Sequence, residues 1–119
     1  MRAWVSGQTP GIAALSIGEV DRPVVDESNM LVRVTHGALN YSDLLMIADQ
    51  YQIRPPRPFT PGQEVVAIVE EAPTASGFNK GDRIASKILW GGFADYACVR
   101  TDMAIRVPEN FSLAQAAAL

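Results

Sequence analysis

The residues of this chain that can do chemistry gather in two short stretches, Asn40-Tyr41-Ser42-Asp43 with Tyr51 close behind, and Gln63-Glu64. The amide of Asn40 can donate to a developing oxyanion without adding charge. It can equally cap a helix by accepting an orphan backbone N–H. Asp43 has the chemistry of an acid, and it also has the chemistry of a helix-start charge that favours the dipole. The phenol of Tyr51 can orient a substrate or, with help against a pKa of about 10, donate a proton. Tyr51 also fits a partly buried structural role, and Tyr41 fits core packing. Gln63 needs hydrogen-bond partners whether it serves a site or only the fold. Glu64 opens an apolar run and suits an ion pair or a turn better than catalysis. His36 is the only histidine, and no Ser or Cys nucleophile is paired with it. Arg54 and Arg57 stand in a Pro-rich segment, where they can meet an anion or remain solvated loop charges. Trp4 and Trp90 read as core and loop packing.

Other chemistries are excluded by count. Cys98 is the only cysteine, so an internal disulfide and a site of several thiolates are both impossible. Within a strand it reads as a small buried apolar residue. The 119 residues carry 13 acids against 10 bases, a net charge of −3. That balance gives no basic footprint for nucleic acid or for a lipid surface. With 48% hydrophobic and 19% charged residues, the chain has the composition of a folded domain. The segment Met1 to Gly7 lacks the apolar core of a signal peptide, and the longest plain apolar run is Val65 to Val69. A soluble, reduced, cytoplasmic setting without membrane partners is expected.

The elements that must position these residues are mostly strands. Turn signals recur about every ten residues, from Pro10-Gly11 to Gly91-Gly92, between stretches rich in Val, Ile and aromatics. This spacing predicts an all-β barrel or sandwich. Strands are expected at 3–6, 13–17, 30–36, 63–71, 83–87, 94–99 and 104–107. Val65 to Val69 is apolar on both faces and should be a central strand. One internal helix is expected, capped by Asn40 or Ser42, with Leu44, Leu45 and Ala48 as its apolar stripe. Pro55, Pro56, Pro58 and Pro61 forbid helix in the segment that follows. Ser112-Leu113-Ala114-Gln115 is a capping box that opens an Ala-rich helix. Two turns of helix do not hold themselves together in water. The chain is therefore expected to be one domain, 1–119, of a longer protein; the alternative is a terminal helix docked on the barrel.

Four motifs carry a family resemblance over nearly the whole chain. They are Ala38-Leu39-Asn40-Tyr41-Ser42-Asp43, Pro61-Gly62-Gln63-Glu64, Gly81-Asp82-Arg83-Ile84 and Gly91-Gly92-Phe93-Ala94-Asp95-Tyr96. In this order and spacing the chain resembles the N-terminal GroES-like domain of a medium-chain dehydrogenase/reductase, in the zinc-independent quinone oxidoreductase branch. The resemblance implies a mainly β, distorted GroES-like barrel with one or two short helices. It implies that a Rossmann domain binding NAD(P)H, with NADPH favoured, lies beyond this chain. No Gly-rich dinucleotide fingerprint occurs here.

The resemblance further implies a reductase that moves hydride to a quinone or an α,β-unsaturated carbonyl, with this fragment inactive alone and the full-length protein a homodimer. It places Asn40 and Tyr51 as catalytic residues, and Tyr41, Asp43, Arg54 and Gln63 at the substrate and cofactor cleft. Zinc-dependent relatives have Cys where this chain has Asn40 and His where it has Gln63. Amides are poor Zn²⁺ ligands, so no metal is expected. An enoyl-thioester reductase of the same superfamily and a non-catalytic GroES-like binding module are the alternatives. Exposed apolar surface, with a tendency to self-associate, is expected around Leu113 to Leu119.

Overall fold

The computed structural model describes residues 1–118. Seven strands and two short α-helices follow in the order β1 Arg2–Ser6, β2 Leu15–Glu19, β3 Asn29–Gly37, α1 Tyr41–Ile47, β4 Glu64–Glu71, β5 Arg83–Lys87, β6 Tyr96–Arg100, β7 Ile105–Arg106 and α2 Leu113–Ala117. The mainly β expectation holds. The ladder does not close into a barrel: β1 and β2 form a hairpin, and the other strands form an open sheet in the order β6-β3-β4-β5-β7. All its pairings are antiparallel. The hairpin is tied to the rest by isolated bridges between Ala3 and Ala94 and between Ser6 and Phe59.

β4 lies between β3 and β5, and Val65, Val66, Ala67 and Val69 are buried in it, as a run apolar on both faces requires. The main core joins these to Met30, Val32, Ile84, Ala97 and Val99. Burying each large apolar side chain contributes about 1.5–3 kcal/mol. The second strand starts two residues later than expected, because Ile12–Ala14 forms a 3₁₀ turn before it. Trp4 is 43% exposed and is not a core residue. It shares a strand face with fully buried Ser6, but the cover supplied there by Phe59 does not extend to Trp4.

The capping box of α2 is formed: Ser112 Oγ accepts from Gln115 N–H at 3.0 Å, and Gln115 Oε1 accepts from Ser112 N–H at 2.8 Å. This helix packs on β3, β4 and β5. Leu113, Ala116 and Ala117 are half-buried there and Ala114 and Ala118 are exposed, so the expected apolar exposure around Leu113 to Leu119 is confined to small side chains; Leu119 lies outside the described residues. Large exposed apolar side chains sit instead at places such as Leu39, Leu89, Met103 and Ile105. Among the described residues no helix is long and apolar enough to cross a membrane.

Candidate active site

Asn40 is the N-cap of α1, with extended backbone at φ −111° and ψ 156°. Its backbone N–H donates to Asp43 Oδ2 at 2.8 Å, which satisfies a donor that the helix start would otherwise leave open. Its side-chain Nδ2 donates to Glu64 Oε2 at 3.1 Å. Ser42 Oγ donates to Gln63 Oε1 in a short hydrogen bond. The first turn of α1 and the start of β4 are thus laced together by two side-chain pairs. The fold brings Asn40, Asp43 and Gln63 together. Glu64 joins them, which the sequence reading missed: Glu64 grips an amide.

The Pro61-Gly62 turn that delivers Gln63 and Glu64 rests on a second turn. Gly62 O accepts from Gly92 N–H at 3.0 Å, and Pro61 O accepts from Phe93 N–H at 2.9 Å. Gly62 has φ +114°, and a Cβ there would lie 2.6 Å from Phe93 N. A Cβ on Gly92 would lie 2.7 Å from Val65 Cγ1. Two motifs that look separate in sequence are the two sides of one backbone contact.

Asp43 is fully buried, and Oδ1 lacks a hydrogen-bond partner. Burial pushes its carboxyl above the ordinary 3.8; the N–H groups of Asn40, Gly62 and Gln63 pull it back, and the nearby Glu64 charge adds to the rise. Between 3.8 and that raised value, folded Asp43 keeps a proton that the unfolded chain has released. The contribution is therefore full below 3.8 and is lost as pH rises through the folded value. Asp82 and Asp102 have the opposite sign. The Asn79 N–H and Arg106 lower the first, and Arg100 lowers the second, so their stabilisation is lost as pH falls below 3.8. Urea unfolding at a series of pH values should show stability declining above 3.8. Asp43→Asn should flatten that limb and leave the acid limb in place; an unchanged upper limb would assign the decline to another group.

A depression of about 450 Å³ is lined by Trp4, His36, Leu39 (the residue before Asn40) and Phe93, among others. The register shift between Val34 and His36 turns β3 here. Thr35 Oγ1 donates to Val66 O at 3.0 Å, and His36 Nδ1 lies 3.1 Å from the same hydroxyl. Leu39 and Phe93 belong to two of the sequence motifs; Thr35 and His36 do not, because a bulge has no local signature in β3.

The other candidates are scattered. Tyr51 is half-buried beyond the end of α1 and makes no side-chain hydrogen bond to the cluster among the described residues. Tyr41 is 74% exposed, which rules out core packing for it. Arg54 is exposed and unpaired among the described residues. Arg57 is neither an anion receptor nor a solvated charge. Its guanidinium donates to Ser6 Oγ, Gly7 O, Ile47 O and Asp49 Oδ1 at 2.7–3.0 Å, and its side chain is 10% exposed. Cys98 is half-buried rather than buried; its thiol lies 3.6 Å from Val24 O, and burial raises its pKa. Among the described residues no three His, Cys, Asp or Glu side chains gather in a way that could hold a metal.

This mainly β fold is that of a GroES-like domain of the alcohol dehydrogenase superfamily. Residues 26–109 match the alcohol dehydrogenase GroES-like domain, and the chain belongs to that family. It is 36% identical over 106 residues to quinone oxidoreductase-like protein 2 of Mus musculus, covering 88% of this chain and 30% of that protein. The quinone oxidoreductase of Thermus thermophilus, solved also in complex with NADPH, superposes with a TM-score of 0.83 at 33% identity over 100% of this chain and 36% of that one. A probable oxidoreductase of Mycobacterium abscessus superposes with a TM-score of 0.93 at 29% identity, over 99% and 38%. The chain spans about 30% of the length of the curated relatives it matches.

Proposed function

We propose that this chain is the substrate-side domain of an NAD(P)H-dependent, zinc-independent reductase of quinones or α,β-unsaturated carbonyls. The observation that carries the reading is Asn40 held at the head of α1 by Asp43 and Glu64, next in the chain to Leu39, which lines a largely apolar depression. Similarity to quinone oxidoreductases, one of them solved with NADPH, supports the substrate class and the cofactor. The amides at 40 and 63 are engaged by Glu64 and Ser42, and amides are poor zinc ligands, which favours a metal-free site. The cofactor is carried by a domain outside this chain and supplies hydride when bound. The task left to these residues is to hold the acceptor and stabilise the charge that grows on its oxygen. Asn40 has one side-chain N–H left for that oxygen once the other is on Glu64. Tyr51 is proposed to orient the acceptor or supply the proton. The protein is proposed to be a cytoplasmic homodimer, active only at full length.

The test is NADPH oxidation by the full-length chain with a panel of quinones and enones. Asn40→Ala should lower kcat by about 100-fold, the order seen when one oxyanion donor is removed, with a smaller change in KM. A parent chain that turns over no acceptor on the panel would remove the reductase reading.

A further inference from the structure

We infer that Glu64 sets the orientation of the Asn40 side-chain amide, and thereby makes an N–H, at a fixed bearing, the group that Asn40 offers a substrate oxygen. The inference rests on the reductase reading above. An ionised carboxylate only accepts hydrogen bonds, so the amide atom facing Glu64 Oε2 at 3.1 Å must be Nδ2. The opposite flip would set two oxygens against each other. The main chain of the same residue is gripped by another carboxylate, Asp43 Oδ2, at 2.8 Å. Two acids from separate elements, α1 and β4, therefore hold one residue at its backbone and at its side chain. With both anchored, the amide plane cannot swing, and its second N–H points one way.

The neighbouring amide shows the contrast. Gln63 is held by the Ser42 hydroxyl, which can donate or accept, so that partner accommodates either flip. Lys87 stands opposite Glu64 in the β4–β5 register. It makes no ion pair with Glu64 among the described residues, so the carboxylate remains committed to Asn40. Glu64 is a positioning residue; of this pair, Asn40 is the one that touches the acceptor.

Exchanging the two groups separates orientation from simple tethering. Glu64→Gln can satisfy either flip, so the melting temperature should stay within a few degrees while kcat falls about tenfold and KM changes less. Asn40→Asp sets carboxylate against carboxylate and should lose both stability and turnover. In the double variant Asn40→Asp/Glu64→Gln, the new amide at 64 donates to the new carboxylate at 40. The melting temperature should recover, and turnover should not.

A readout independent of activity is the side-chain NH₂ of Asn40 in the ¹⁵N-Asn-labelled full-length chain, assigned by its disappearance in Asn40→Asp. One proton should be shifted downfield in the parent and return upfield in Glu64→Gln. Parental turnover in Glu64→Gln, or recovery of turnover by the double variant, would overturn the inference. If the parent turns over no acceptor, the reductase reading fails by itself. The orientation set by Glu64 is then decided by the NH₂ resonance, which upholds it if it moves and refutes it if it does not.

Discussion

Gly62→Ala should lower the melting temperature by roughly 10 °C, an effect of about 3 kcal/mol in a domain of this size. Two causes add. At φ +114° an L side chain is strained, worth roughly 1–2 kcal/mol. The new Cβ would also stand 2.6 Å from Phe93 N and 2.9 Å from Gly92 Cα. Those are backbone atoms in a hydrogen-bonded turn, so relief requires the two turns to part, at about 1–3 kcal/mol. Gly77→Ala is the control, because Gly77 has φ +81° but nothing within 4 Å of its Cβ position. It should cost only the backbone share. Equal losses for the two variants, by thermal unfolding, would show that the turn-on-turn contact contributes nothing. Because the same turn delivers Gln63 and Glu64, Gly62→Ala should also impair turnover in the full-length chain beyond its effect on folding.

Arg57→Ala should destabilise by about 3 kcal/mol, mainly by leaving hydrogen-bond acceptors without their donor. The guanidinium ties two parts of the chain that are far apart in sequence: Ser6 and Gly7 at the end of β1, and Ile47 and Asp49 at the end of α1. Its removal leaves the buried Ile47 carbonyl and Ser6 hydroxyl, the half-buried Gly7 carbonyl and the partly exposed Asp49 carboxylate without this donor. The position at the C-terminal end of α1 adds a favourable interaction with the helix dipole. Arg57→Lys should recover less than half of the loss, since a single ammonium cannot reproduce the fork that reaches four acceptors. Denaturant midpoints of the two variants check this. A parent-like Arg57→Lys would mean that charge alone, and not the fork, holds the latch. Asp49 has φ +59°, so Asp49→Gly relieves backbone strain while deleting one acceptor; its smaller net effect would isolate the Asp49 share.

The elements of this fold were legible because their causes are local. Val65 to Val69 is apolar at successive positions, and only a strand covered on both faces accommodates that; it is the middle of the sheet. Ser112 and Gln115 stand three residues apart, and the box they form needs nothing from the rest of the chain. Four prolines between Pro55 and Pro61 kept helix out of the loop after α1. Asn40 and Asp43 could be read as a helix start for the same reason.

The role of Arg57 was not legible, since a charge in a Pro-rich loop looks solvated until Ser6 and Ile47 are brought to it. Trp4 was misread because the cover over its face of β1 reaches Ser6 and stops short of Trp4, and composition does not report how far a neighbour extends.

By itself, then, the sequence determined the strands, the two helix starts and the turns, since each follows from neighbours within a few residues. Only the tertiary structure decided the site. Asn40 meets Glu64 across 24 residues and Ser42 meets Gln63 across 21. Neither spacing carries a period. Those pairs exist because the Pro61-Gly62 turn is seated on Gly92-Phe93, and that contact is a property of the folded sheet rather than of any segment in it.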